Sequence, residues 1–314
     1  MKIYDAHQDI AANIQLVTNK NFFRENKIND CFIGSSYNCV NQVDYPRLVK
    51  GNVRLIFATI FAQTKKQALE QFDIYKKILS KSKNIIPILS TKNLTHLQDD
   101  QIGFLFNMEG ATPLETPEDL DMFYKMGLRS IGIAWRGENR YIKDDKLSEE
   151  GLRLLSEIEK RAIILDVAHM SESLFWNTIE NYSKPFIVSH TACRKIYNDE
   201  RNLSDEQIKE VYKRNGLIGI AGVNKLVGGE TIDYIEKNIK YVIEQSSINT
   251  VCLGSDFDGM VNPKLSLIED FEDVACYPNL IDKLNLNFNK KEVEKIAYKN
   301  LHNFILKILK NSPK

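Results

Sequence analysis

The chain has 314 residues, 43% of them hydrophobic, with 42 Lys plus Arg balanced by 42 Asp plus Glu. That length suits one large α/β barrel or two ordinary domains, and the apolar fraction is enough for a sizeable core. The zero formal net charge excludes a global field that would draw the chain to nucleic acid or to an anionic membrane.

The opening MKIYDAHQDI has no apolar core and no small-residue cleavage site, so it does not read as a signal peptide. No apolar run approaches the roughly 18 residues of a membrane span. The final stretch, FILKILKNSPK, reads as a short basic amphipathic helix, too charged to insert. The five cysteines, Cys31, Cys39, Cys193, Cys252 and Cys276, form neither a CxxC pair nor a disulfide framework. Reduced thiols in a cytoplasmic protein are expected.

In chain order, KIYDAH is the first apolar run, and a polar, irregular tract from Gln15 to Pro46 follows it. That tract is expected to be a long loop covering one end of the fold. VRLIFATIF comes next, then the helical pattern KKQALEQFDIYKKIL, then IGFLFNME and RSIGIAW. A second helical pattern, SEEGLRLLSEIEKR, leads into AIILDVAH and PFIVSH. SDEQIKEVYKRN and TIDYIEKNIKYVIEQ flank LIGIAG, and TVCLGSD is the last run. Ser204 and Thr231 stand where N-caps of the last two helices belong.

Each run is short, rich in Ile, Val, Leu and Phe, and apolar at successive positions, which is how a strand buried on both faces reads. Eight such strands alternating with helices predict a single closed (β/α)₈ barrel of the TIM type over residues 1–314. An open doubly wound sheet is the alternative. The absence of a Gly-rich phosphate fingerprint after the first strand counts against a dinucleotide fold.

Polar residues stand at the C-terminal ends of these runs. His7 and Asp9 follow the first, Glu109 ends the third, His169 the fifth, His190 the sixth, and Asp256 the eighth. In a closed barrel those ends converge on one mouth. An acid or imidazole at the end of an apolar strand is costly unless paired or metal-bound. Side chains two apart on an extended segment point the same way, so His7 and Asp9 can reach one ion, and their donor atoms suit zinc and its neighbours. Taken singly, each residue is explained as well by a satisfied core histidine, a capping acid or a chance HxD string. Together they place three of the five histidines at barrel strand ends with acids beside them, and they predict a metal site. His96, in a polar stretch, and His302, on the last amphipathic helix, are not expected to be ligands.

The strings DAHQD, NMEG, LDVAHMS, IVSHTACR, RNLSDEQI, GSDFDG and LIEDFEDVACYPNLIDKL follow one another along nearly the whole chain. In that order they resemble the membrane (renal) dipeptidase family of the amidohydrolase superfamily. The resemblance implies two zinc ions, one held by His7 and Asp9, the other by His169 and His190, with Glu109 bridging both. It implies hydrolysis of the peptide bond of a dipeptide by a hydroxide shared between the ions. Asp256 matches the family's catalytic acid, and Arg201 matches the residue that holds the substrate's C-terminal carboxylate. Trp135, in IGIAWRGEN, stands where mammalian members carry a histidine that helps bind the scissile carbonyl. An indole N–H donates a hydrogen bond but is no acid at neutral pH. The family's lipid-anchor signal and disulfide cysteines find no counterpart here, and the resemblance suggests a homodimer.

Three functions compete: a zinc dipeptidase, a two-metal hydrolase of another amide, lactam or ester, and a barrel kept as a binding or regulatory module. The last is expected to lose a ligand or the base, yet every such position is filled. Arg201 separates the first two, because a guanidinium fork reads a carboxylate bidentately. Arg194, in HTACR, is expected to be structural. Of the two acids in GSDFDG, Asp256 is expected to take the proton, and Asp258, lying further out, to cap the loop or to support the ligands from behind.

Overall fold

In the computed structural model, which describes residues 1–16, 20–27, 41–259 and 267–311, the eight apolar runs form eight parallel strands. The barrel strands are β1 (Ile3–Gln8), β2 (Val53–Phe61), β3 (Ile102–Glu109), β4 (Leu128–Gly132), β5 (Ile164–Asp166), β6 (Ile187–Thr191), β7 (Leu217–Ile220) and β8 (Val251–Leu253). Each pairs with the next, and β1 pairs with β8 through Asp5 and Leu253, so the sheet closes on itself. Closure removes the unpaired edges that an open sheet would expose. The longest register runs along β2 and β3, from Leu55 opposite Gly103 to Phe61 opposite Glu109.

A ninth strand of this sheet was not anticipated. Ile85–Pro87 pairs with the first half of β3, starting at Ile102, while β4 pairs with the second half. Three residues ending in a proline carry too little apolar pattern to stand out. A hairpin at Ile142–Lys143 and Lys146–Leu147 turns through Asp144 and Asp145, both at positive φ, as a two-residue turn of the I′ kind requires.

The helical patterns form helices where expected. Thr64 caps Lys65–Lys81, Ser148 caps Glu149–Lys160, and Ser204 makes a full capping box with Gln207 ahead of Asp205–Lys213. Thr231 stands at the N-cap position of Ile232–Gln245 without a side-chain cap bond; its backbone instead bridges to Glu269. The tract from Gln15 to Pro46 begins in the helix Ile10–Leu16 and ends in the helix Tyr45–Lys50. Cys31 and Cys39 lie outside the described residues; Cys193, Cys252 and Cys276 are free thiols. No described helix is long and apolar enough to cross a membrane.

Two apolar layers hold the barrel. One lies between the sheet and the outer helices. The other gathers Tyr4, Leu55, Phe57, Leu105, Ile164, Ile187 and Leu217 from the strands against Leu301, Phe304, Ile305 and Ile308 of the last helix, Asn300–Leu309. These strand residues belong to the N-terminal halves, so the last helix plugs that end of the barrel. The opposite end is left open for polar side chains.

Candidate metal centre

On β3, Leu105, Asn107 and Glu109 share one face because side chains alternate along a strand. Leu105 belongs to the apolar plug, and Glu109 stands two pleats nearer the mouth. His7 and His190 are also strand residues, on β1 and β6. Three others sit past the strands rather than at their ends. Trp135, His169 and Asp256 each follow the last residue of β4, β5 or β8 by three positions. His169 and Asp256 have φ of +67° and +64°, in the left-handed region. That conformation costs about 1–3 kcal/mol for a non-glycine residue and persists only where the surroundings impose it.

These turns bring the six candidates together. The two oxygens of Glu109 divide between two groups. Its Oε1 lies 2.6 Å from His169 Nε2 and 3.5 Å from His190 Nε2, while its Oε2 lies 3.6 Å from His7 Nε2. His7 Nε2 is also 3.3 Å from Asp9 Oδ2 and 3.8 Å from Asp256 Oδ1. Donor atoms of Glu109, His169 and His190 lie within 4.8 Å of one another, as do those of His7, Asp9 and Asp256.

Several features fit cations at these positions. His7 Nε2 and Asp9 Oδ1 are buried without a hydrogen-bond partner, a costly state that a metal ion relieves. His169 Nε2 and His190 Nε2 converge to 2.8 Å. A Cβ at Gly259 would lie 2.5 Å from Asp9 Oδ2 and 2.7 Å from Asp256 Oδ1, so the glycine leaves the space beside these carboxylates free. Imidazole nitrogen with carboxylate oxygen is a donor set for zinc and its first-row neighbours. A third trio, His7, Asp166 and His190, is equally close, but Asp166 Oδ1 accepts from the backbone N–H groups of Ala168 and Ser189 at 3.0 Å each.

The electrostatics are those of crowded buried acids and imidazoles. Burial pushes Asp256 up to about 7 and Asp9 up to about 6. Burial alone would raise Glu109 too, but His7 and His169 beside it hold it well below the usual carboxylate range. Burial alone would lower His7, and the Asp9 and Glu109 charges outweigh it. His169 and His190 are pushed down by burial, His169 to about 4. Neutral imidazoles and ionised carboxylates are the forms that bind metal.

A cleft of about 970 Å³ opens beside His169, lined also by Trp135, Arg136, Arg194, Glu200 and Arg201. The Arg201 guanidinium keeps Nε and Nη2 buried without a partner. Arg194 is engaged, its Nη1 donating to Glu172 at 2.6 Å and its Nε to the Asn202 carbonyl at 3.1 Å. Trp135 packs against Phe61 with ring centres 4.7 Å apart and planes tilted by 52°, and stands 6.2 Å from the His169 ring. Asp258 faces away from the cluster. Lys20 Nζ donates to it at 2.5 Å, and the backbone N–H groups of Gln42 and Val43 at 2.7 and 3.2 Å. It ties the tract after β1 to the turn after β8. His96 and His302 bond the Lys92 carbonyl and the Tyr4 hydroxyl, away from the mouth.

Sequence reasoning missed the residues beneath this cluster. Asp5 accepts from Gln8 Nε2 at 2.6 Å, Ser255 N at 2.9 Å, Ser255 Oγ at 2.6 Å and Tyr277 OH at 2.7 Å, which joins β1 to the turn carrying Asp256. Asp166, Ser189 and Gly259 went unremarked as well. A signal was present, since Asp5 and Asp166 are acids inside otherwise apolar runs and each precedes a site histidine.

A family model of membrane dipeptidases, peptidase family M19, matches residues 1–312. Dipeptidase ataJ of Aspergillus terreus is 24% identical over 94% of this chain and 82% of its own length. Dipeptidase tcpJ of Claviceps purpurea is 23% identical over 82% of this chain and 67% of its own. In fold, a metallo peptidase from Rhodobacter sphaeroides, solved with a phosphinate mimic of the dipeptide L-Ala-D-Ala, superimposes with a TM-score of 0.83. That match covers 97% of this chain and 98% of the other at 17% identity.

Proposed function

This chain belongs to the membrane dipeptidase family, peptidase family M19, a family of metal-dependent dipeptidases, and on that premise we propose a two-zinc enzyme specific for dipeptides ending in a free carboxylate. The observation that carries the specificity is the Arg201 guanidinium, buried with Nε and Nη2 unpartnered on the cleft wall next to His169. A planar fork in that state is complementary to a carboxylate. The size of the mimic held by the Rhodobacter enzyme fits the same reading.

His7 and Asp9 would hold one ion, His169 and His190 the other, and Glu109 would serve both through its two oxygens. Bound zinc supplies Lewis acidity and lowers the pKa of water toward neutrality. The residues of the chain do the rest. Arg201 binds the terminal carboxylate and sets how far that end lies from Glu109. The substrate must therefore end one residue past the scissile bond. Asp256 accepts the proton of the attacking water at its carboxylate and returns it to the departing amine, acting first as base and then as acid. Trp135 walls the cleft against Phe61 and offers at most an N–H donor toward the carbonyl.

The competing function, a general amide, lactam or ester hydrolase on the same ions, differs in not needing the carboxylate. Metal analysis together with kcat/KM for dipeptides and their C-terminal amides decides between them. Two zinc ions per chain and poor turnover of the amides are expected. Amides cleaved as well as the free acids would remove the proposed specificity.

A further inference from the structure

Beneath the ligand cluster, one hydroxyl touches two of its histidines. Ser189 Oγ lies 2.8 Å from His190 Nδ1 and 3.4 Å from His7 Nδ1. The two rings pack with centroids 3.9 Å apart. Behind the serine stands Asp166, which accepts from Ser189 N at 3.0 Å and lies next to the Ser189 side chain. All four residues are buried. The opposite ring nitrogens, Nε2 of His7 and of His190, are the ones that face Glu109.

A serine hydroxyl has one proton to give and two lone pairs to receive with. With its proton directed to Asp166, both lone pairs are free to accept Nδ1–H from the two rings. Each imidazole then carries its proton on Nδ1 and presents an unprotonated Nε2 to the mouth. His7 falls in one ligand group and His190 in the other. We propose that Ser189, backed by Asp166, is a positioning residue that holds His7 and His190 in the Nδ1–H tautomer and so orients one donor nitrogen for each metal ion. His169 is outside this arrangement, since its Nδ1 is buried without a partner. The inference rests on the two-metal reading above. It also assigns Asp166, close as it is to both histidines, to support rather than to ligation.

The test measures zinc affinity by chelator competition, and the visible spectrum of the cobalt-loaded protein, for wild type, Ser189→Ala, Ser189→Thr and Ser189→Cys. Loss of an outer hydrogen-bond partner of a metal-bound histidine typically weakens metal binding about 10–100-fold. Ser189→Ala is expected to weaken both ions by that order and to shift the cobalt bands. Ser189→Thr, which keeps the hydroxyl, should restore both, and Ser189→Cys, a weaker hydrogen-bonding group, should fall between. Melting of the metal-free variants separates orientation from packing. A lower melting temperature with unchanged zinc affinity overturns the proposal, as does weakening of one ion alone. Threonine no better than alanine also overturns it. Wild-type protein that binds fewer than two ions overturns both this inference and the two-metal reading. Wild type binding two ions, with Ser189→Ala unchanged, overturns this inference alone.

Discussion

The two ends of the barrel are built from the same eight strands but under opposite rules. At the N-terminal end, Leu55, Phe57, Leu105 and Ile187 meet Leu301, Phe304 and Ile305 of the last helix, and every one is buried against other apolar atoms. At the C-terminal end, His7 Nε2, Asp9 Oδ1, His169 Nδ1 and two Arg201 nitrogens are buried without partners, and His169, Asp256 and Asp258 are held at positive φ. One end contributes stability. The other spends some of it on strained turns and desolvated charge, because a metal site and a substrate cleft need groups that no protein partner has satisfied. A chain can hold both because the pleat alternation and the strand length separate them along one face, as with Leu105 and Glu109, four positions apart on β3.

Substitutions at each end should therefore fail in different ways. The largest effect belongs to Glu109→Ala, which removes the carboxylate shared by both groups. It should lose at least one ion and with it nearly all hydrolysis; full metal stoichiometry by elemental analysis would contradict the bridging role. Asp256→Asn should keep both ions and lower kcat about 10²–10⁴-fold, the usual worth of a general base. If Asp258→Asn proved the worse of the pair, the two acids would exchange roles, although Asp258 is already committed to Lys20, Gln42 and Val43. Phe304→Ala, at the plugged end, should cost about 3–5 kcal/mol in denaturant unfolding while leaving zinc affinity untouched. Loss of metal in that variant would show the two ends to be coupled. Arg201→Ala should act mainly on KM, lowering kcat/KM for dipeptides by about 2–5 kcal/mol in free-energy terms, with little change for dipeptide amides. An equal loss on acids and amides would mean that Arg201 supports the cleft rather than reads the carboxylate.

The barrel was legible in the sequence because a strand buried on both faces has no choice but to be apolar throughout, and eight such runs stand out against amphipathic helices. The candidate cluster was legible for the complementary reason: His7, Glu109 and His190 are polar residues that interrupt or end apolar runs, where they are costly without a function, and the fold brings them together. Helix starts followed side-chain chemistry closely at Ser148 and Ser204. What only the tertiary structure decided is geometry that no local pattern encodes. Spacing in extended chain placed His169 and Asp256 on strand ends, but the chain turns through left-handed residues before reaching them. Alternation in extended chain would likewise put Asp256 and Asp258, two positions apart, on one side, whereas the turn after β8 sends one toward His7 and the other toward Lys20. The division of Glu109's oxygens between two histidine groups, the unpaired fork of Arg201 and the shared hydroxyl of Ser189 all depend on residues far apart in sequence meeting at a few ångströms. Local propensity sets which residues are strand, helix and turn; closure of the barrel alone sets which of their atoms face one another.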